Sequence, residues 1–450
     1  MKISTGRVTQ LNQEEPTRGD FVLYWMQQSQ RAYWNDALEY AAARANKLGL
    51  PLVVCFGLTN YPEANARHYA FMLEGLEETA TALQKRRIQF VLQLGDPAEV
   101  ALMLGRRAAL IVTDRGYMRV QKVWRKKVAT AAKCPVVQVE TDVIVPVKIA
   151  SDKQEFAART LRPKLQRVFE SYLYQPQTVS LKKSSLGMKL QGAKISPALL
   201  SKLKLDQSVP PVTQFFRGGS GAAEKLFCRF LREQFADYRR HRNQPQTDDV
   251  SHMSKYLHFG QISPAWLAVE ARKHQSAGHE NVASFTDELL VRRELAVNFC
   301  HFNEHYDRYE ALPEWARKTL HEHRGDKRSH LYARAELEAG ATHDPYWNAA
   351  MREMRVTGYV HNHMRMYWGK KILEWSPTPE EAHTTALAIN NKYFLDGRDA
   401  NSFANIGWLF GLHDRPWPER EVFGKVRYMN AAGLERKCDI RAYVAKVNAL

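Results

Sequence analysis

Five apolar runs of strand length punctuate the first third of the chain: Phe21–Met26, Leu52–Leu58, Ile88–Leu94, Ala109–Thr113 and Val136–Val145. Helical segments separate the first four. In His68–Lys85, for example, Tyr69, Met72, Leu73, Leu76, Ala80 and Leu83 recur at the 3.6-residue period. Strands that are apolar almost throughout bury both faces, and with helices between them they predict a doubly wound, parallel α/β sheet. Gly95-Asp96-Pro97 reads as a strand-to-helix turn, with Asp96 as N-cap and Pro97 in the first helical position. No G-x-G-x-x-G follows the first strand and there is no Walker A motif, so this sheet carries no nucleotide signature.

The pattern then changes. From Tyr174 to Gln214 the chain is rich in Gln, Ser, Lys and Pro, and beyond Arg217-Gly218-Gly219 the periods are helical. The expected division is an α/β domain over 1–173, an interdomain connection over 174–214 and an all-helical domain over 215–450. A length of 450 residues agrees with two domains. The formal charge of +17 points to a polyanionic partner, since cations that neutralise phosphates release counterions. The five cysteines show no C-x-x-C spacing, which argues against zinc or a disulfide framework and for a reducing, cytoplasmic setting. No apolar run reaches the ~18 residues of a membrane span.

Chemistry concentrates between His343 and Trp417. Trp368 and Trp375 are seven residues apart, hence on one helix face with about 10 Å of rise between them, and Trp347 lies on the preceding helical segment. A row of indoles leading to Arg365, Asn390 and Asp396 suits single-electron traffic, which requires a cofactor, and a flavin is the economical reading. Core packing is the competing reading of the tryptophans, and a surface turn that of Asp396-Gly397. His361 and His363 point to different sides of a helix, so no metal site is expected. His413-Asp414 reads as a cofactor-adjacent pair. Ser251 and Ser254 are either helix caps or phosphate holders. Glu288 reads as a surface glutamate paired with Arg292 or as a functional acid. Arg242 belongs to a basic run, and Lys122, Arg125, Lys126 and Lys127, with Trp124 among them, read as a solvated helix face or a DNA contact.

Six segments in order carry a resemblance: FVLYWMQQSQRAYWNDAL, KQEFAARTLRPKL, YLHFGQIS, DELLVRRELAVNFC, the tryptophan-rich stretch, and GKVRYMN. From Phe21 onward the chain resembles the class II cyclobutane pyrimidine dimer photolyases of the photolyase/cryptochrome superfamily. The resemblance implies a Rossmann-like domain followed by a helical domain that binds flavin adenine dinucleotide (FAD). It also implies light-driven splitting of pyrimidine dimers in double-stranded DNA by a monomer. Ser251, Met253 and Ser254 would grip the cofactor phosphates with help from Tyr238, while Arg365, Asn390, Asp396 and Asp399 would meet the flavin ring. Trp368 would lie nearest the flavin, Trp347 next and Trp375 near the surface. Glu288, in a mostly apolar pocket that raises its pKa, would face the lesion with Met366 and Trp408, and Arg242 would fill the duplex or hold phosphate. Two departures stand out, Arg292 where some relatives carry tryptophan and Lys255 where many carry proline. A deazaflavin-type antenna in the first domain is a further expectation. The rival readings are a flavin photoreceptor without repair activity and a flavin-free, basic nucleic-acid-binding protein.

Overall fold

The computed structural model describes residues 4–196 and 198–450. Among these residues six strands form one sheet in the order β1-β6-β5-β2-β3-β4. They are β1 (Val8–Gln10), β2 (Phe21–Trp25), β3 (Leu52–Leu58), β4 (Gln89–Leu94), β5 (Ala108–Asp114) and β6 (Val136–Val139). All pairs are parallel except β1 with β6, which runs antiparallel with Val8 opposite Val139. β1 was not expected, because Val8-Thr9-Gln10 carries neither an apolar run nor a long alternation.

Side chains of β2 alternate between two cores. Val22 and Tyr24 pack with Leu38 and Ala41 of the helix Asp36–Leu48, and Leu76 of the helix Ala66–Lys85 joins the same cluster. Phe21, Leu23 and Trp25 face the other way, against Ala98, Ala101 and Leu104 of Pro97–Gly105 and Val128 of Arg119–Ala131. Helices therefore cover both faces, as the continuous apolar strands require. The Asp96 side chain accepts from the N–H groups of Ala98 and Glu99, with Pro97 opening the helix.

The fifth apolar run is a strand only to Val139. Residues 140–145 form a buried loop whose backbone is satisfied from outside: Arg7 donates to the Glu140, Val143 and Ile144 carbonyls, and the Glu294 carboxyl accepts from the Ile144 and Val145 N–H groups. Within the stretch 174–214, residues 185–193 lie along the sheet edge. Ala193 N–H donates to the Leu92 carbonyl of β4 at 2.7 Å, and Ser185 Oγ accepts from Gln89 N–H while donating to the Leu52 carbonyl. An edge strand covered in this way cannot pair with another chain.

Beyond Ser220 the described residues are built from helices and loops. Two cores run across the halves. One extends from the sheet to Phe227, Phe285 and Leu290, and the other gathers Trp347, Trp368 and Trp375 with Tyr117 and Val147. Among the described residues no helix is long and apolar enough to cross a membrane.

Candidate active site

The indole row forms where the helix Pro345–Thr357 packs on Asn362–Trp375. Asp344 caps the first helix through the Tyr346 and Trp347 N–H groups and accepts the Tyr367 hydroxyl of the second, which locks their relative position. Trp347, Trp368 and Trp375 are 0, 1 and 1% exposed. Trp347 Nε1 donates to the Trp368 backbone carbonyl at 2.9 Å, and its ring meets Trp375 edge-on at 5.7 Å between centroids. The expectation that Trp375 lies near the surface is not met. Tyr332 and His343 close over it at 5.5 and 5.1 Å, joined to each other by a 2.7 Å hydrogen bond, with the exposed His330 stacked outside. Tyr332 comes from a loop far upstream, so helical spacing gave no sign of it.

At its other end the row becomes charged. Trp368 meets Phe394 edge-on at 6.3 Å, and the Arg365 guanidinium lies 3.7 Å above the Phe394 ring, bonded to Asp396 at 3.0 Å. Asn390 is buried beside them, its amide donating to Asn391. The Leu395–Asp399 turn is therefore interior, with Arg398 in the left-handed region at φ 66°. Asp399 caps the helix Ala400–Leu409 and faces His258 at 3.4 Å. Burial pushes its carboxyl up, but the His258 hydrogen bond and charge, helped by Arg293, outweigh this and hold it down to about 2.

The loop before Tyr256 turns through Asp248 and His252, both in the left-handed region (φ 66° and 55°) and bonded to each other at 3.1 Å. The helix it opens, Ser254–His258, is only five residues long and its N-cap position, Met253, makes no side-chain cap. Neither Ser251, half-buried, nor Ser254, exposed, caps it. Near the loop and Arg365, the buried atoms Gln246 Oε1, His252 Nδ1, His361 Nε2, His363 Nε2 and Trp368 Nε1 lack hydrogen-bond partners. So many unsatisfied polar atoms in one region call for a polar, extended ligand, and a flavin dinucleotide fits that requirement. Among the described residues the Tyr238 hydroxyl makes no hydrogen bond to this loop. Tyr238 packs among Phe230, Phe235 and Phe285, where burial and the nearby Glu288 push its phenol up.

Glu288 sits on a π-helical turn, Asp287–Arg292, a distortion that recurs at functional sites. Its partner is Arg242, at 2.6 Å, which also donates to Ser284 Oγ. Both readings of Glu288 need correction: its surroundings are an ion pair 27 and 33% exposed and not an apolar pocket, and Arg292 turns instead toward Asp287 at 3.6 Å. The Arg292 side chain is 54% exposed. Met366 and Trp408 are half-buried. The Trp408 ring is flanked by Arg427 and by Lys370, a fully buried lysine that the helical pattern did not single out. His413 and Asp414 do not form a pair: His413 bonds the Phe156 carbonyl and Asp414 bonds Arg427.

A cavity of about 120 Å³ lies at the C-terminal ends of the strands, lined by Trp25, Phe56, Tyr61, Trp124, Arg398 and Asp399 among others. Open α/β sheets place ligands at this end. Trp124 meets Tyr61 here at 6.1 Å, and its basic neighbours divide: Lys126 and Lys127 stand on the exposed face of the helix, whereas Lys122 and Arg125 turn inward. Lys122 donates to the Cys300 and His301 carbonyls, Arg125 is buried against Gln27, and Lys127 pairs with Glu99.

Comparison with known proteins agrees with this geometry. The pattern of the family described as DNA photolyase matches residues 22–182. A deoxyribodipyrimidine photo-lyase of Methanothermobacter thermautotrophicus is 47% identical over 450 residues, covering 100% of this chain and 99% of its own. One from Potorous tridactylus is 40% identical over 95% of this chain and 81% of its own. A bacterial class III photolyase structure from Agrobacterium tumefaciens superposes with a TM-score of 0.74 at 18% identity, over 96% of this chain and 87% of its own, and so shares the fold. With full-length relatives at these identities, the chain belongs to the DNA photolyase family.

Proposed function

We propose that the protein is a class II photolyase that splits cyclobutane pyrimidine dimers in double-stranded DNA, with FAD as cofactor and light as the energy source. The observation that carries this reading is the dry tryptophan row ending on Arg365, Asp396 and Asn390, in a fold that also carries the half-open Glu288–Arg242 pair. Held by these residues in its reduced form, FAD would supply the light-driven single-electron chemistry for opening the dimer ring, with no net redox change.

The residues do the rest. Ser251 and Ser254 offer hydroxyls to the phosphates. Arg365, neutralised by Asp396 and seated on Phe394, presents a fixed cation to the flavin ring without leaving a buried charge unpaired, and Asn390 offers an amide that can donate or accept at N5. Trp347, Trp368 and Trp375 relay electrons that keep the flavin reduced. Positive surface charge draws duplex DNA, and the dimer, like other bases on which enzymes act, leaves the stack. Trp408 then gives it a stacking face, Met366 an adaptable contact and Glu288 a hydrogen bond. The strand-end cavity has the aromatic walls and polar edge to take a second planar chromophore of deazaflavin type.

The test is repair of a dimer-containing oligonucleotide by reduced protein, with and without blue light. Repair only in light supports the reading. A protein that retains flavin but repairs nothing would be a photoreceptor, and one that takes up no flavin would overturn the assignment.

A further inference from the structure

Lys255 is the second residue of the helix Ser254–His258, and its side chain runs inward, 1% exposed. Its Nζ donates to the His252 carbonyl at 3.0 Å and lies 3.6 Å from the Phe216 ring centroid and 4.8 Å from that of Tyr359. Among the described residues it forms no ion pair. One carbonyl and two ring faces compensate a buried ammonium only in part. The charged groups around it do not complete the balance. Asp396 is already bonded to Arg365, whose own charge repels Lys255, and Asp248 is shared with His252 and with Lys446 at 3.7 Å. Burial is the largest influence and pushes the lysine down to about 7. A buried cation placed without a counter-ion, on the loop that also carries the unsatisfied His252 Nδ1, is a site that lacks its anion.

We propose that Lys255 is the counter-ion of the cofactor's diphosphate, so that cofactor binding and protonation of this lysine are coupled. The inference rests on the flavin dinucleotide reading above. Oxidised isoalloxazine is uncharged near neutral pH, so the diphosphate is the anion that the cofactor brings. Without it the amine is divided between its neutral and charged forms near pH 7. With the diphosphate beside it the charged form persists to higher pH, and each binding event above about pH 7 takes up a proton. His252, a neighbour that also titrates, is lowered by burial from the ordinary histidine range, so it does not change charge in that window.

Flavin-loaded protein is diluted at a series of values from about pH 6 to about pH 9.5, and the released FAD is read by its fluorescence. Wild type should hold its Kd level below about pH 7 and weaken above it, approaching about tenfold per pH unit. Lys255→Met should bind more weakly at low pH and show no slope, and Lys255→Arg, charged throughout, should bind tightly with no slope. A wild-type Kd independent of pH overturns the inference by itself, even if the methionine variant does not fold. The wild-type slope persisting in Lys255→Arg overturns it as well, because another group would then be titrating. Failure of the wild type to hold FAD at any pH removes the flavin reading and this inference with it.

Discussion

The tryptophan row and the Glu288 mouth serve one proposed reaction by opposite physical means. The row is sealed: three indoles and their charged terminus are held by ring edges, one indole-to-carbonyl hydrogen bond and a helix cap. Nothing in it depends on solvated charge. The mouth is built from arginines and acids that remain partly in water, with Arg242, Glu288 and Arg292 all accessible. Electron transfer gains from surroundings that do not reorganise, whereas a surface that meets a phosphate backbone needs charges that water can exchange. Salt should therefore separate the two. DNA binding should fall steeply on a log–log salt plot, while flavin photoreduction in the absence of DNA stays constant. A photoreduction rate that follows salt as binding does would erase the distinction.

The largest single effect is expected within the row. Trp368→Phe should abolish photoreduction of bound flavin, yet protein reduced chemically beforehand should repair as wild type does. The substitution is structurally mild. Trp368 Nε1 has no hydrogen-bond partner to lose, and the Trp347 bond goes to the Trp368 backbone, which stays. The cavity left should cost about 1–3 kcal/mol. Trp375→Phe, farther along and beneath Tyr332, should slow photoreduction without stopping the first transfer. Unchanged transient absorption in both variants would mean that the indoles only pack.

A smaller effect is expected at the mouth. Glu288→Ala removes a charge-assisted bond that is one-third exposed, so repair should slow about tenfold and not collapse. Flavin content should hold. The Arg242 guanidinium, released from its partner, should leave affinity for undamaged duplex equal or higher. Loss of flavin together with repair would make Glu288 a structural residue.

The same division governs how much could be read from the amino-acid order. The parallel sheet, the Asp96 cap and the burial of Trp347 and Trp368 follow from local periods, and periods are written in the chain. The Glu288–Arg242 pair joins residues 46 apart across two helices, and the Tyr332–His343 cover joins a loop to a helix start. No spacing rule reaches such pairs. Segment resemblance named Glu288 and Arg242 separately but not their contact, and it offered no hint that Lys122 and Arg125 are engaged inside the fold. That Lys255 and Lys370 are buried is shown only by the packing around each.

Lys370 belongs to both regions and yields the smallest expected effect. It sits on the helix of Trp368, and its ammonium reaches toward the mouth, donating to the Leu409 carbonyl 5.0 Å from the centre of the Trp408 ring. Burial pushes it down to about 7, with Asp414 opposing that shift and Arg427 adding to it. Between about pH 7 and the ordinary lysine value the unfolded chain holds a proton that the folded state lacks, so this group makes stability rise with pH through that window. Below it the cost of burying the charge is present in full. Lys370→Met removes the charge and keeps most of the apolar stem, while leaving the Leu409 carbonyl unpaired at every pH. The melting temperature of the variant relative to wild type should therefore be highest near pH 6 and should fall, by a few degrees in all, as the pH approaches about 10. A difference that does not change with pH would mean that Lys370 stays charged in the folded protein, with Asp414 as its effective counter-ion, and that the dry region ends before Trp408.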